Sequence, residues 1–245
     1  MAELVYPPVV LAAKTAFRAL DIRFDIQGTE HLPSTGGAVI ACTHVSYLDF
    51  IFCGLGAQPA KRLVRFMAKR QVFDNRIAGP LMRGMKHISV DRSAGAGSYR
   101  QAVQALRDGQ VVGVFPEGTI SRSFTVKHLK SGAVRMAAEA RVPVVPMAVW
   151  GSQRLWTKGR PKNLTQRHVP LSILCGPAFE PTLDDDINAL TQDLHGRMQT
   201  LLDKLQADYP DKPAAGEEPW WLPAHLGGSA PTPEEAAALD RKRPE

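Results

Sequence analysis

A chain of 245 residues, 44% hydrophobic and 22% charged, has the composition of a globular protein of one domain or two, and no apolar run approaches the ~20 residues of a bilayer span. Its formal charge of +6 is uneven: residues 214–245 carry six acids and three bases, so the rest carries +9, and residues 61–100 set ten Lys and Arg against Asp74 and Asp91. That field suits anionic partners (phosphate groups, nucleic acid or an anionic lipid surface), while three distant cysteines, Cys42, Cys53 and Cys175, argue against a disulfide framework and for a reducing compartment.

Residues 4–20 place Val9, Val10, Ala13, Phe17 and Leu20 at helical spacing with Lys14 and Arg18 between them, so residues 1–25 read as an amphipathic segment. Such a helix lies at a membrane interface or packs on the body. The N-terminus lacks the basic stretch, apolar core and cleavage site of an export signal. From residue 37 short apolar runs alternate with helical periodicity, which predicts an α/β fold: a central, mostly parallel sheet flanked by helices. The predicted strands are 37–42, 63–68, 87–91, 110–115, 142–149 and 170–175.

Between the third and fourth strands, Ser98 and Gln101 read as a capping-box pair opening a helix that Gly109 ends. Leu190, Leu194, Met198, Leu201, Leu202 and Leu205 form the stripe of a second helix over 188–206, after the acidic run Asp184 to Asp186. Beyond Pro213 the composition turns to Pro, Ala, Gly and Glu, so residues 1–213 read as the functional domain and 214–245 as an extended tail. Trp220 and Trp221 are its exception, and their apolar area favours anchorage on the body.

The first strand delivers His44, followed five residues later by Asp49 in THVSYLD. A histidine held by a carboxylate at one ring nitrogen can take a proton from an alcohol at the other. Residues five apart do not share a helical face, so the pair requires a tight turn from strand to helix. HISVDRS places Arg92 past the end of the third strand, and QVVGVFPEGT places Glu117 and Gly118 past the fourth. In an open parallel sheet ligands bind outside the carboxyl ends of the strands, so these groups are expected to converge.

The ordered set THVSYLD, HISVDR, FPEGTISRS and VPVVP resembles the four motifs of the glycerolipid acyltransferase family, over roughly residues 30–180. The likeness is greatest to its bacterial 1-acyl-sn-glycerol-3-phosphate acyltransferases of actinobacterial type. What the resemblance implies is a catalytic domain held on the membrane, an acyl-CoA or acyl carrier protein donor and a lysophosphatidic acid acceptor. It implies His44 as general base, Asp49 as its orienting carboxylate, and no metal or other cofactor. Arg92 matches a phosphate-binding arginine; Glu117, Gly118 and Thr119 match an acceptor-binding turn; Lys69 and Lys130 are further phosphate partners. Pro143 belongs to the motif near the acyl chain. The implied partners are the two substrates and anionic membrane lipid rather than nucleic acid, on the cytoplasmic side of the cell membrane, peripheral or monotopic. Ile120 stands where the family usually has Arg, and Arg122 follows two residues later. Another acceptor, such as glycerol 3-phosphate, a lysophospholipid or a glycolipid, therefore stays open, as does a non-catalytic lipid-binding adaptor.

Overall fold

In the computed structural model, which describes residues 3–91, 95–214 and 216–242, one sheet contains β1 (Arg23–Gln27), β2 (Ala38–Cys42), β3 (Val64–Lys69), β4 (Ile88–Val90), β5 (Val111–Val114), β6 (Val144–Trp150) and β7 (Pro170–Cys175). Their order is β1-β7-β6-β2-β5-β3-β4. Pairing is parallel from β6 through β4 and between β1 and β7, and antiparallel between β6 and β7.

β2 lies mid-sheet, so its AVIAC run is wholly buried instead of alternating with polar residues. The pleat sends Val39 and Ala41 into one core layer and Ala38, Ile40 and Cys42 into the other. Helices α5 (Gly95–Arg107), α6 (Gly132–Ala140) and α7 (Ile187–Ala207) contribute to the first layer; α1 (Tyr6–Ala19) and α2 (Asp49–Gly56) contribute to the second. The short α3 (Arg70–Asp74) and α4 (Ala78–Gly84) form a small satellite cluster in which Phe73 and Met82 pack with Tyr6. Burying a side chain such as Leu194, Met198 or Leu202 contributes roughly 1.5–3 kcal/mol. The stripe and acidic start expected over 188–206 thus correspond to α7, whose N-cap Asp186 accepts from the N–H groups of Asn188 and Ala189 at 2.9 and 3.1 Å.

β6 carries Pro146 although it is a central strand. The Pro146 carbonyl accepts from Gly176 N, one residue past the end of β7. The missing N–H points the same way, so the loss falls just beyond the β6–β7 ladder. Cys42, Cys53 and Cys175 are free thiols in the α1–α2 layer.

Three expectations need correction. β1 was not anticipated, because RFDIQ is an edge strand whose exposed side chains carry no apolar run. α5 begins at Gly95, so Ser98 and Gln101 lie inside it rather than at its start; the helix is fixed by Ala102, Val103 and Leu106 packing on the sheet. The segment after Pro213 is not extended: Trp221 is buried against Tyr209 at 5.7 Å with the Arg154 guanidinium 4.8 Å over its ring, and α8 (Pro233–Lys242) follows. Thr232 and Glu235 exchange a capping box at its start, 2.9 and 3.3 Å. Among the described residues no helix is long and apolar enough to cross a membrane.

Candidate active site

β2 ends at Cys42, and Thr43 still donates its N–H to Met147 of β6 at 3.0 Å, so His44 is the first residue to leave the sheet. The chain then turns within four residues into α2, whose first residue is Asp49. The turn is held from outside. Trp156 O accepts from Tyr47 N and Ser46 Oγ, and Val45 O accepts from Thr157 Oγ1 at 2.6 Å. Through this turn Asp49 Oδ2 comes within 3.1 Å of His44 Nδ1.

Asp49 is fully buried and its oxygens are fully used. Oδ2 also accepts the N–H groups of Val45 and Ser46, both at 2.7 Å, and Oδ1 accepts Ser152 Oγ at 2.6 Å. A carboxylate with these donors accepts only, so in its neutral form the His44 imidazole carries the proton on Nδ1 and presents a lone pair at Nε2. The imidazole stacks on Phe115 at 4.2 Å between centroids, which fixes its plane.

Glu117, in the loop after β5, accepts the backbone N–H of His44 at 2.8 Å and that of Lys127 at 3.0 Å. It is buried beneath the cleft rather than open to it. Burial pushes its carboxyl up to about 8, against the opposing pull of those two backbone bonds. Gly118 adopts φ +73°, the left-handed region that exempts glycine from strain, and a Cβ there would lie 3.2 Å from the end of Lys130.

His44 opens on a cleft of about 400 Å³ beyond the carboxyl ends of β3, β4 and β5. Lys69, Gly118 and Lys130 line it with His44, and Met67, Phe115 and Met136 supply apolar wall. Of the residues singled out in the sequence, the structure therefore brings together His44, Asp49, Lys69, Gly118 and Lys130. Thr119 and Arg122 point elsewhere: Thr119 Oγ1 accepts from Lys158 Nζ at 3.2 Å, and Arg122 Nε donates to Asp240 at 3.1 Å. Pro143 precedes β6, whose register with β2 puts it at the amino-terminal edge, opposite the cleft. Arg92 lies outside the described residues.

Two contributors escaped the sequence reading. Ser152 sits 103 residues from its partner Asp49, and its only local signal is the Gly151 turn after β6. Phe115 ends an apolar run in the sequence, while in the structure it stacks on His44. A second histidine–carboxylate contact, His168 with Asp21 at 2.5 Å, is solvent-exposed. The larger groove beside it, about 620 Å³ between α1 and β1, is rimmed by Lys14 and Arg18 but has no histidine in its lining.

Residues 23–150 match the family model described as Acyltransferase. The chain is 32% identical over 184 residues to a 1-acyl-sn-glycerol-3-phosphate acyltransferase of Bacillus subtilis, covering 74% of this chain and 88% of that protein. It is 29% identical over 205 residues to the human 1-acyl-sn-glycerol-3-phosphate acyltransferase alpha, covering 80% of this chain and 71% of that protein. The fold resembles the crystal structure of the 1-acyl-sn-glycerophosphate acyltransferase of Thermotoga maritima, with a TM-score of 0.68, 22% identity, and coverage of 83% and 80% of the two chains.

Proposed function

Since the chain belongs to the acyltransferase family, we propose that it transfers a fatty acyl group to the free hydroxyl of 1-acyl-sn-glycerol 3-phosphate, forming phosphatidic acid. The observation that carries this is the His44–Asp49 pair opening on a cleft that also holds Lys69 and Lys130. A base lies beside cations suited to the acceptor's phosphate.

In this reading His44 Nε2 takes the acceptor O–H proton as the oxygen attacks the thioester carbonyl. The new C–O ester bond forms, the C–S bond breaks, and the imidazolium returns its proton to the departing thiolate. Asp49 keeps the imidazole in the required tautomer. Its hold by Val45, Ser46 and Ser152 prevents it from turning away. Glu117 fixes the His44 main chain, so it acts as a positioning residue. Arg92, Lys69 and Lys130 bind the acceptor phosphate, with acyl-CoA or acyl carrier protein as donor. A positioned base contributes about 10²- to 10⁴-fold; holding both substrates in one cleft adds a proximity term.

We infer a peripheral or monotopic seat on an anionic membrane surface, on the cytoplasmic side. Its support is the exposure of two apolar residues, Leu4 at 81% just before α1 and Leu11 at 66% on it, together with Lys14 and Arg18 of the same helix. Residues 1–213 are read as the acyltransferase domain, with the following segment folded back on it.

The test is an acyl-transfer assay with labelled donor, offered 1-acyl-sn-glycerol 3-phosphate, glycerol 3-phosphate, a lysophospholipid and monoacylglycerol. Phosphatidic acid should be the main product. Preference for a phosphate-free acceptor overturns the assignment of Lys69 and Lys130, and no transfer to any acceptor overturns the catalytic reading.

A further inference from the structure

Three segments meet at one carboxylate outside the lining of the cleft. Asp240, on α8, receives Arg122 Nε at 3.1 Å, Lys127 Nζ at 2.6 Å and Lys158 Nζ at 3.2 Å. Lys158 Nζ also lies 3.2 Å from Thr119 Oγ1. The group is sheltered, with side-chain exposure of 7% at Lys158, 13% at Arg122 and 18% at Asp240. It is also built for the guanidinium: a Cβ on Gly159, where φ is +83°, would lie 2.3 Å from Arg122 Nη1. Burial pushes the Asp240 carboxyl up, but hydrogen bonds from Lys127, Lys158 and Arg122 outweigh it and hold it down at about 2.

The cations and their occupant are held unequally. Arg122 and Lys127 sit in a loop fixed by Ser121 N to His44 O at 2.7 Å and by Lys127 N to Glu117 at 3.0 Å. Lys158 follows Thr157, which grips the His44 turn. α8, by contrast, is ten residues long and buries only Ala236 among its described side chains. A helix of that length with so little apolar cover is marginal by itself, so its release is a low-cost local opening. A guanidinium and two ammonium groups around one oxyanion, with the Thr119 hydroxyl beside one of the ammonium groups, also match a phosphate, with three oxygens and up to two charges, better than a single carboxylate.

We propose that Arg122, Lys127, Lys158 and the Thr119 hydroxyl form a phosphate-binding site that Asp240 of α8 occupies in this conformation, and that the phosphate belongs to one of the two reactants. The site is separate from the cleft that holds Lys69 and Lys130. Its two faces share a single turn, with Gly118 facing the cleft and Thr119 facing this site. α8 is thus an internal competitor, and a reactant's phosphate must displace it. The identity of the phosphate bearer rests on the acyl-transfer reading; the site itself does not.

Inorganic phosphate is the probe. Full-length Asp240→Asn should melt at a temperature that rises with millimolar phosphate, above any effect of sodium chloride at equal ionic strength, while the wild type responds less. Adding Lys127→Met to that variant should remove the response. In the wild type, phosphate should speed hydrogen exchange across residues 233–242, a measurement that does not depend on the variant folding. Absence of a phosphate-specific response in both measurements overturns the site. In the transfer assay, Asp240→Asn should lower KM for one reactant by roughly tenfold if the masked form outnumbers the open one by that factor. A fall for the thioester donor assigns the phosphate to the donor carrier, and a fall for the lysolipid assigns it to the acceptor. No fall for either overturns the assignment to a reactant. A wild type that shows the exchange response but no acyl transfer refutes the enzymatic reading and leaves the site standing.

Discussion

The backbone N–H of His44 is bonded to the carboxyl group of Glu117 at 2.8 Å across 73 residues of chain, so the loop after β5 fixes the main-chain position of the histidine after β2. Side chain and main chain of His44 are thereby held by two different acidic side chains, Asp49 and Glu117.

His44→Ala should lower kcat by about 10²- to 10⁴-fold, the typical worth of a general base, with little change in melting temperature because the ring is partly open to the cleft. Asp49→Asn should lose both activity and stability. An amide cannot accept all of the bonds now made by His44, Val45, Ser46 and Ser152, and one unsatisfied buried donor costs about 1–3 kcal/mol. Steady-state kinetics with thermal melts on both variants separates the two effects.

Glu117 should make stability pH-dependent. In the unfolded chain its carboxyl ionises near 4.5, whereas the folded protein retains the proton until about 8. The folded state binds the extra proton over that window, so its stability contribution is present below pH 4.5 and is lost as pH rises toward 8. In Glu117→Gln this component should vanish, narrowing the difference in melting temperature between pH 5 and pH 8. An unchanged difference assigns the pH dependence to other groups.

Lys130→Met should raise KM for phosphate-bearing acceptors by roughly ten- to two-hundred-fold, the range for one charge-assisted hydrogen bond, and leave a phosphate-free acceptor nearly unaffected. Arg92→Ala should behave alike by its motif position. Gly118→Ala should combine a backbone cost of about 1–2 kcal/mol, from the +73° φ, with displacement of the Lys130 end. A KM rise of equal factor for both acceptor types would make Lys130 a structural residue.

Leu4→Glu with Leu11→Glu should weaken sedimentation with anionic vesicles by tenfold or more, on the order expected when apolar side chains worth roughly 1.5–3 kcal/mol each no longer insert. Raised salt should weaken the wild type as well, by screening Lys14 and Arg18. Transfer to a short-chain, water-soluble acceptor should persist. Undiminished sedimentation of the double variant would put the membrane contact elsewhere.

What the sequence disclosed follows the range of the interactions. β2, β5, β6 and β7 were legible as buried, largely apolar runs, β3 and β4 as shorter apolar-rich ones, and His44 with Asp49 was legible because both lie within one turn. β1 was not, since an edge strand with exposed Arg23 and Asp25 resembles a loop in composition. The Pro- and Gly-rich composition after Pro213 suggested extension, yet the capping residues Thr232 and Glu235 were present in TPEE and pointed to α8. Ser152 under Asp49 and Asp240 among Arg122, Lys127 and Lys158 depend on contacts across 82 to 118 residues, which no local pattern encodes.

The burial of Cys42, Cys53 and Cys175 in one core layer gives the protein an internal clock. Thiolate chemistry requires access, so a thiol-directed reagent should leave the native molecule unlabelled and mark a molecule only when the layer between α1, α2 and the sheet comes apart. The rate of labelling then measures how often the core itself opens, independently of events at the cleft.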